Sequence, residues 1–442
     1  MSLHTLRNLA LAALLPALCA CASNKAYRHD LSANCIANHD SDCPAAAVQH
    51  HAPQQPDEYF LGFVEFDDQG QLRDRKQLQT VLDTFYPIAG RQDVLIVAFA
   101  HGWHHDAHPG DRNIESFRQL LGKLALLESL GNRRKVLGVY LGWRGESLTL
   151  PVVNDLTFWE RKNTAHKVGQ NGIPEVLLKL EEIVNVRAGS EEGMNPKPLN
   201  SRFAVIGHSF GGAVVFTALQ QILADRFVDS RRGKTAAGDA NGVGDLVILL
   251  NPAFEALRFS TLYDMSQDYC RRYWTSQTPK LAILTSEADM ATGLAFPAGR
   301  AFSTLFETHG TLTRNICTAD GPKELTVKEG EADRSAVGHF QPYLTHDLLP
   351  SARQASLATA LDFPRLKELW MGQTPSNRLD FDGSQLVHLD KTRPLNPYLN
   401  IRIDKALIPD HNDVWGDAVL NFLRDLIAIS TMPIDSPTPG GR

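Results

Sequence analysis

Several features are scarce in this chain of 442 residues, and each scarcity narrows the range of functions. Only six cysteines are present and no two have C-x-x-C spacing, which argues against a structural zinc site of the usual kind. Lysine and arginine number 44 against 50 acidic residues, and the net charge of -6 argues against a nucleic-acid partner. The apolar stretch from Leu9 to Leu18 is too short for a permanent transmembrane helix. No internal repeat is apparent, and the hydrophobic content of 43% suffices for the core of one large folded domain.

The first residues have the build of an export signal. Arg7 precedes the apolar stretch, and Leu18-Cys19-Ala20-Cys21 ends it. This ending resembles the lipobox of bacterial lipoproteins, which implies that residues 1–20 are a signal peptide and that Cys21 carries a lipid anchor. Since Ala22 stands where aspartate would mark inner-membrane retention, the resemblance implies an outer-membrane lipoprotein of a Gram-negative bacterium. Cleavage nearby without lipidation, giving a soluble periplasmic or secreted protein, is the alternative.

Export makes the other four cysteines interpretable, because an oxidising compartment favours disulfides. Four cysteines allow three pairings, and we favour disulfides that join cysteines near each other in the sequence. These are the pair Cys35 and Cys43 and the pair Cys270 and Cys317. Residues 21–57 are rich in His, Pro, Gln, Asp and Ala, which predicts a disordered tether to the lipid. The folded domain is therefore expected over residues 58–442.

The most informative motif is Gly207-His208-Ser209-Phe210-Gly211. The apolar run from Phe203 to Ile206 precedes it, and a helix-like run from Ala213 to Leu223 follows it. A serine at a sharp turn between strand and helix is held clear of its neighbours, within reach of a general base and of donors for an oxyanion. The flanking glycines provide the room that such a turn needs. A plain glycine-rich turn is the alternative interpretation, and the context of strand and helix argues against it.

The segment GHSFGG resembles the nucleophile elbow of the α/β-hydrolase superfamily, in its lipase and esterase branch. The resemblance implies an α/β fold with a mostly parallel central sheet flanked by helices. It implies Ser209 as the nucleophile, followed along the chain by an acid and then a histidine. It also implies an oxyanion loop upstream of the serine.

The oxyanion loop is expected after the run from Val94 to Ala100, which predicts a strand buried on both faces. That strand ends in His101-Gly102-Trp103, where lipases and esterases turn the chain toward the nucleophile. By resemblance, the backbone N–H groups of Trp103 and Phe210 form the oxyanion hole, and His101 bonds the loop. The next histidines, His104, His105 and His108 beside Asp106, suggest a metal cluster as an alternative, but adjacent histidines in a loop seldom converge on one ion.

The acid is expected after the second core strand beyond the elbow. Leu246 to Leu250 predicts the first of these strands and Leu281 to Leu284 the second. The second strand is followed by Glu287 and Asp289, and the resemblance implies Asp289 as the acid with Glu287 as its alternate. Glu255, after the earlier strand, is the third candidate.

Sixteen histidines are present, and context favours His411 as the general base. It lies in a turn-like cluster between a predicted last strand, Tyr398 to Ile403, and a helix with apolar residues at a helical period. By resemblance, the hydrolase histidine lies between the last strand and the last helix. His339 and His346 are the competitors, and both fall inside a predicted insertion.

Insertions are expected near residues 142–200 and 290–397, at the carboxyl edge of the sheet where ligands bind. Four apolar side chains in the second insertion are candidates for a lid over an acyl chain, or for the small core of the insertion itself. They are Phe296, Phe302, Leu305 and Phe306.

The resemblance implies a serine carboxylic-ester hydrolase that forms an acyl-enzyme on Ser209 and needs neither metal nor organic cofactor. Its substrate would be a small-molecule or lipid ester, lipase and phospholipase substrates included. Amidase, thioesterase or peptidase activity on the same residues is the first alternative, because a triad leaves the acyl substrate open. A non-catalytic envelope-binding protein is the second.

Overall fold

A computed structural model describes residues 25–32, 35–145, 154–186, 199–230, 238–304, 307–318, 320–352, 370 and 378–431. The strands are β1 (Cys35–Ile36), β2 (Val48–His51), β3 (Tyr59–Glu65), β4 (Val94–Ala100), β5 (Lys135–Gly142), β6 (Arg202–His208), β7 (Leu246–Leu250), β8 (Leu281–Ser286), β9 (Thr311–Thr318), β10 (Gly321–Lys328), β11 (His346–Pro350), β12 (Arg378–Phe381), β13 (Ser384–His388) and β14 (Tyr398–Ile403). The α-helices are α1 (Arg75–Arg91), α2 (Arg112–Leu130), α3 (Asn154–Gln170), α4 (Gly172–Val184), α5 (Phe210–Asp229), α6 (Ala256–Gln267), α7 (Phe296–Ser303), α8 (Glu329–Arg334) and α9 (Asp417–Ser430).

One large sheet organises these elements, and the class is α/β as predicted. Its strand order is β1-β2-β3-β5-β4-β6-β7-β8-β14-β11-β13-β12. The neighbours from β3 to β11 in this order all pair in parallel, and antiparallel pairs occur toward both edges. Strands β9 and β10 form a separate antiparallel hairpin.

Strand β4 shows why a continuous apolar run predicts a central strand. All seven of its residues are buried, and successive side chains alternate between two cores. Ile96 and Ala98 join the core that holds residues of α1, α4 and α5, whereas Val97 and Phe99 join the core that holds residues of α2 and α9. The sheet is therefore covered by helices on both faces, as a parallel sheet requires.

The folded region begins upstream of the predicted boundary at residue 58. Strands β1 and β2 lie within the segment expected to be a disordered tether, and both belong to the sheet. The polar composition is misleading here because two of its charges are paired with each other: Arg28 and Asp40 form a fully buried ion pair at 2.8 Å. Arg118 of α2 donates to the Gln49 side chain at 2.8 Å and to the Ala37 carbonyl at 2.8 Å.

The two predicted insertions contribute to the main body of the fold. Helices α3 and α4 lie within residues 142–200, and α3 approaches α5 so closely that a Cβ at Gly169 would lie 2.4 Å from the Val214 carbonyl oxygen. Within residues 290–397, strands β11, β12 and β13 extend the sheet beyond β14. Phe296, a lid candidate, is buried in the core; the side chains of Phe302, Leu305 and Phe306 lie outside the described residues.

Both predicted cysteine pairings are present. Cys35 bonds to Cys43 and Cys270 bonds to Cys317, with Cα atoms 6.2 and 5.2 Å apart, inside the usual range for disulfides. Cys21 and the predicted signal peptide lie outside the described residues. Among the helices of the described ranges, none combines the length and the apolar character that crossing a membrane takes.

Candidate active site

Parallel strands deliver the predicted site residues to one edge of the sheet. Strand β4 leads into His101, β6 into Ser209 and β8 into Asp289, and His411 lies between β14 and α9. Because these strands run in the same direction, their carboxyl ends open on the same edge.

Ser209 occupies a strained turn between β6 and α5. Its backbone has φ 55° and ψ -120°, a conformation that residues other than glycine rarely adopt. The turn is held by the Ser209 N–H, which donates to the Leu250 carbonyl at 2.9 Å, and by the Ala253 N–H, which donates to the Ser209 carbonyl at 3.2 Å. This is the conformation expected of a nucleophile elbow.

The glycines around the serine are required by close backbone approach. A Cβ at Gly211 would lie 2.1 Å from the Ala100 carbonyl oxygen, so helix α5 starts directly against the end of β4. A Cβ at Gly207 would lie 2.6 Å from the Gly211 carbonyl oxygen. Strand, turn and helix therefore pack so closely that there is no room for a side chain at Gly207 or Gly211.

Three of the predicted residues form one hydrogen-bonded row. Ser209 Oγ lies 2.7 Å from His411 Nε2, and His411 Nδ1 lies 2.9 Å from Asp289 Oδ1. The three residues are 202 and 122 positions apart along the chain. Ser209 is 3% exposed and Asp289 1%, whereas the His411 side chain is 18% exposed, so the row is open to solvent chiefly at its histidine.

The environment of Asp289 favours its charged form. Burial alone would raise its pKa, but the hydrogen bond and charge of His411, together with hydrogen bonds from Thr292, hold the pKa below the usual carboxyl value. The Thr292 N–H donates to Oδ1 at 3.0 Å, and the Thr292 hydroxyl donates to Oδ2. An ionised Asp289 requires an N–H at His411 Nδ1, which leaves Nε2 to accept the Ser209 proton.

His339 extends this row on the far side of Thr292. Its Nε2 lies 3.0 Å from Thr292 Oγ1. Because the single hydroxyl proton of Thr292 is donated to Asp289, His339 must donate from Nε2 to the hydroxyl oxygen. Burial lowers the pKa of His339, so the neutral ring with its proton on Nε2 fits this contact. The row thus runs from His339 through Thr292, Asp289 and His411 to Ser209.

Two further residues, His208 and Asn251, fix the backbone of His411. The His208 ring contacts the His411 carbonyl oxygen through Nε2 at 3.1 Å, and Asn251 Nδ2 donates to the same oxygen at 3.0 Å. Burial lowers the pKa of His208 to about 3, so the ring is neutral and Nε2 carries the donated proton. Sequence reasoning did not assign these roles, although His208 directly precedes Ser209 and Asn251 directly follows β7.

The alternative acids lie elsewhere. Glu287 is exposed, and its side chain accepts from the Lys405 N–H at 3.4 Å. Glu255 is buried in an ion-pair cluster with Lys162 and with Arg300, whose Nε lies 3.2 Å from Glu255 Oε1. Of the three predicted candidates, Asp289 is the one in contact with His411.

The competing histidines are also separated from the serine by their contacts. His346 lies in β11, where its Nδ1 contacts the Thr345 hydroxyl at 2.8 Å and its ring packs edge-on against His388. His339 contacts Thr292 as described. Of these three histidines, His411 is the one whose ring is hydrogen-bonded to Ser209 in the described part of the chain.

The loop after β4 packs against the serine. A Cβ at Gly102 would lie 2.8 Å from Ser209 Cβ, so the backbone of the predicted oxyanion loop adjoins Ser209. His101 braces the loop: its Nε2 accepts from the Trp143 N–H at 3.0 Å, so Nδ1 donates to the Gly102 carbonyl at 2.9 Å. Burial lowers the pKa of His101 to about 4, which matches a neutral bracing ring. Trp103 and Phe210 flank Ser209 from the two segments, and their role as oxyanion donors stays a prediction.

The histidines after Trp103 have separate partners. His104 stacks on Trp103, His105 Nδ1 contacts both carboxylate oxygens of Asp111 at 3.0 Å, and His108 packs edge-on against Tyr27. His104, His105 and Asn412 border an open cleft of about 820 Å³. Charged and polar side chains line much of it, namely Asp111, Arg112, Asn113, Ser116 and Asp413, together with Trp415. A cleft of this size accommodates a small-molecule ligand.

Comparisons with known proteins add no assignment. No protein-family model matches the chain, and neither the curated proteins nor the solved structures include a significant match. Any functional proposal for this chain therefore depends on the geometry at the edge of the sheet.

Proposed function

We propose that the protein is a serine hydrolase with an α/β-hydrolase fold, which cleaves carboxylic esters through an acyl-enzyme on Ser209. The observation that carries the proposal is the row of contacts from Ser209 Oγ to His411 Nε2 at 2.7 Å and from His411 Nδ1 to Asp289 Oδ1 at 2.9 Å. The strained backbone of Ser209 supports it, because such strain is kept where it serves a site.

In the proposed mechanism, His411 takes the Ser209 proton as the oxygen attacks the ester carbonyl. The tetrahedral intermediate carries its negative charge next to the backbone N–H groups of Phe210 and Trp103. His411 then donates its proton to the leaving alcohol, and the acyl group remains on Ser209. A water molecule that His411 deprotonates releases the acid, while Asp289 stabilises the imidazolium in both halves of the reaction.

The cleft is not lined by Ser209 or His411 themselves, but His104 and Asn412, which line it, directly follow Trp103 and His411 in the chain, and this placement supports a substrate with a polar part. Its carboxylates, its guanidinium and its amides offer hydrogen bonds to a polar leaving group or headgroup. Trp415 adds an apolar surface, and its indole N–H donates to Asn113 at 3.1 Å. Esters with a polar alcohol are therefore the first substrates to test.

The decisive experiment labels the serine. A fluorophosphonate probe loses fluoride when a serine oxygen attacks phosphorus, so the parent protein should be labelled at Ser209. Ser209→Ala should abolish both labelling and ester hydrolysis while the protein stays folded. Ser129→Ala is the matched control, because Ser129 is an exposed serine on α2 whose hydroxyl donates only to the Leu126 carbonyl.

A substrate panel then separates the alternatives. Nitrophenyl esters of rising chain length should be run beside esters of polar alcohols, anilides and thioesters. Faster turnover of anilides or thioesters would shift the proposal to an amidase or thioesterase. Labelling at another serine, or no labelling and no turnover at all, would refute the proposal and favour a non-catalytic binding protein.

A further inference from the structure

We propose that Glu307, His309 and Asp333 form a divalent-metal site that suits zinc. His309 Nε2 lies 3.5 Å from Asp333 Oδ2 and 3.9 Å from Glu307 Oε2, and the three ligand atoms lie within 4.8 Å of one another. A tetrahedral zinc ion with bonds of about 2.0–2.2 Å holds its ligand atoms roughly 3.4 Å apart. Small rotations of the side chains would bring these three atoms to that spacing.

A buried carboxylate oxygen points to a missing partner at this position. Asp333 is only 5% exposed, and its Oδ2 is buried without a hydrogen bond among the described residues, with His309 Nε2 3.5 Å away. Its other oxygen accepts from Arg300 Nη2 at 2.8 Å. Leaving a buried carboxylate oxygen without a hydrogen bond is unfavourable, whereas a metal bond would satisfy it. Arg300 would then orient the ligand from outside the metal shell.

The backbone already holds His309 in place. A Cβ at Gly330 would lie 3.1 Å from His309 Cγ, so the start of α8 packs directly on the imidazole ring. The loop is tied to the same helix by the Gly310 N–H, which donates to Glu329 Oε2 at 2.8 Å, and by the Glu329 N–H, which donates to the Gly310 carbonyl at 3.0 Å. Two of the three ligands therefore lie on segments that are fixed to each other before any metal binds.

The ligand types indicate the class of metal. One imidazole and two carboxylates are usual ligands for zinc and related transition metals. Calcium favours six to eight oxygen ligands, which this group does not offer. The Glu307 side chain is 54% exposed, so the fourth position would face solvent and hold water. A bound metal would fasten α8 to the loop that precedes β9. The metal site does not depend on the hydrolase proposal.

Zinc titration of the purified, chelator-stripped protein tests the site. Calorimetry with Zn²⁺ and with Ca²⁺ should show saturable binding of zinc and no comparable binding of calcium. His309→Ala should weaken that binding at least about 100-fold, since loss of even an outer-shell partner costs about 10- to 100-fold. Glu307→Gln, a change at an exposed side chain that keeps the fold, should weaken it as well.

An exposed histidine outside the cluster provides the control. His29→Ala should leave zinc affinity unchanged, because His29 is exposed and its ring is hydrogen-bonded to the Tyr27 carbonyl, outside the cluster. X-ray absorption spectroscopy of the zinc complex should show one nitrogen ligand, with oxygen atoms as the other ligands. Unaltered affinity in His309→Ala, or tighter binding of calcium than of zinc, would overturn the proposal and leave a His309–Asp333 ion pair as the reason for the cluster.

Discussion

Replacing Asp289 by asparagine should remove most of the activity without removing substrate binding. The change eliminates a charge 2.9 Å from His411 Nδ1 in a buried setting. At an effective dielectric constant of about 20, an imidazolium and a carboxylate at that distance attract each other by about 6 kcal/mol. At about 1.4 kcal/mol for each tenfold change in rate, this corresponds to roughly four orders of magnitude. Amidation of a triad aspartate in a serine protease has an effect of about 10⁴, the same scale.

Glu287→Gln is the matched control for this prediction. It makes the same chemical change two residues earlier, at an exposed carboxylate that contacts the Lys405 N–H. Surface substitutions of this kind change free energies by about 0.5 kcal/mol or less, so turnover should change by no more than about twofold. Both variants should be compared by the rate of fluorophosphonate labelling at Ser209, which needs no knowledge of the natural substrate.

The outcomes distinguish the acids clearly. A loss near 10⁴ in Asp289→Asn with an unchanged KM supports the role of Asp289, whereas reversed magnitudes would transfer the role to Glu287. Losses below about tenfold in both variants would refute the electrostatic reasoning.

Stability offers a second measurement, because the pKa of Asp289 is lower in the folded protein than its usual value. Its stabilising contribution is present above about pH 4 and lost as pH falls through the folded pKa, so the stability difference between parent and Asp289→Asn should shrink in acid.

Three further predictions concern separate parts of the molecule. Thr292→Val removes the hydroxyl that donates to Asp289, a bond to a charged group worth about 1.5–3 kcal/mol, so labelling should slow by roughly 10-fold or more and recover in Thr292→Ser. Gly211→Ala should prevent stable folding, because its Cβ would lie 2.1 Å from the Ala100 carbonyl oxygen. Gly122→Ala is the control: Gly122 lies in α2, and the nearest atom to its Cβ would be 4.0 Å away. This variant should raise the free energy of unfolding, measured with denaturant, by about 0.5–1 kcal/mol. Cys21→Ala should release the protein from the membrane fraction or leave its precursor uncleaved, and unchanged fractionation and mass would contradict lipidation.

The parts of the fold that sequence predicts well are those decided by local pattern. Strands β4 and β7 have the predicted bounds, because continuous apolar runs of strand length fit few other places than the middle of a parallel sheet. Strand β14 also has the predicted bounds, although Asn400 and Arg402 interrupt its apolar residues. The proposed elbow is recognisable in the sequence because the serine, its glycines, the strand and the helix lie within about twenty consecutive residues. Asp289 and His411 were predicted by chain order, and the structure brings them into contact.

The tether shows where composition misleads. A segment rich in polar and charged residues predicts solvation, and Arg28 or Asp40 alone would remain in water. The structure buries both because each is the partner of the other, and because the Gln77 side chain donates to the Arg28 carbonyl at 2.7 Å. Asp40 is 12 positions from Arg28 and Gln77 is 49 positions from it, so no local pattern predicts these contacts.

The support of His411 illustrates the same limit at the site itself. Its carbonyl oxygen is held by His208 from the end of β6 and by Asn251 from the end of β7, which are 203 and 160 positions away. Asn251 also accepts from the Ser286 N–H at 2.9 Å, so one amide links the loops that carry His411 and Asp289. Its backbone has φ 42°, an unusual conformation for a residue other than glycine. The strained residues Asn251 and Ser209 therefore lie at the carboxyl ends of the neighbouring strands β7 and β6. Asn251 holds the backbone of His411, and the turn at Ser209 presents its hydroxyl to the His411 ring. These two conformations bring the loops that carry Ser209, Asp289 and His411 together into one candidate site.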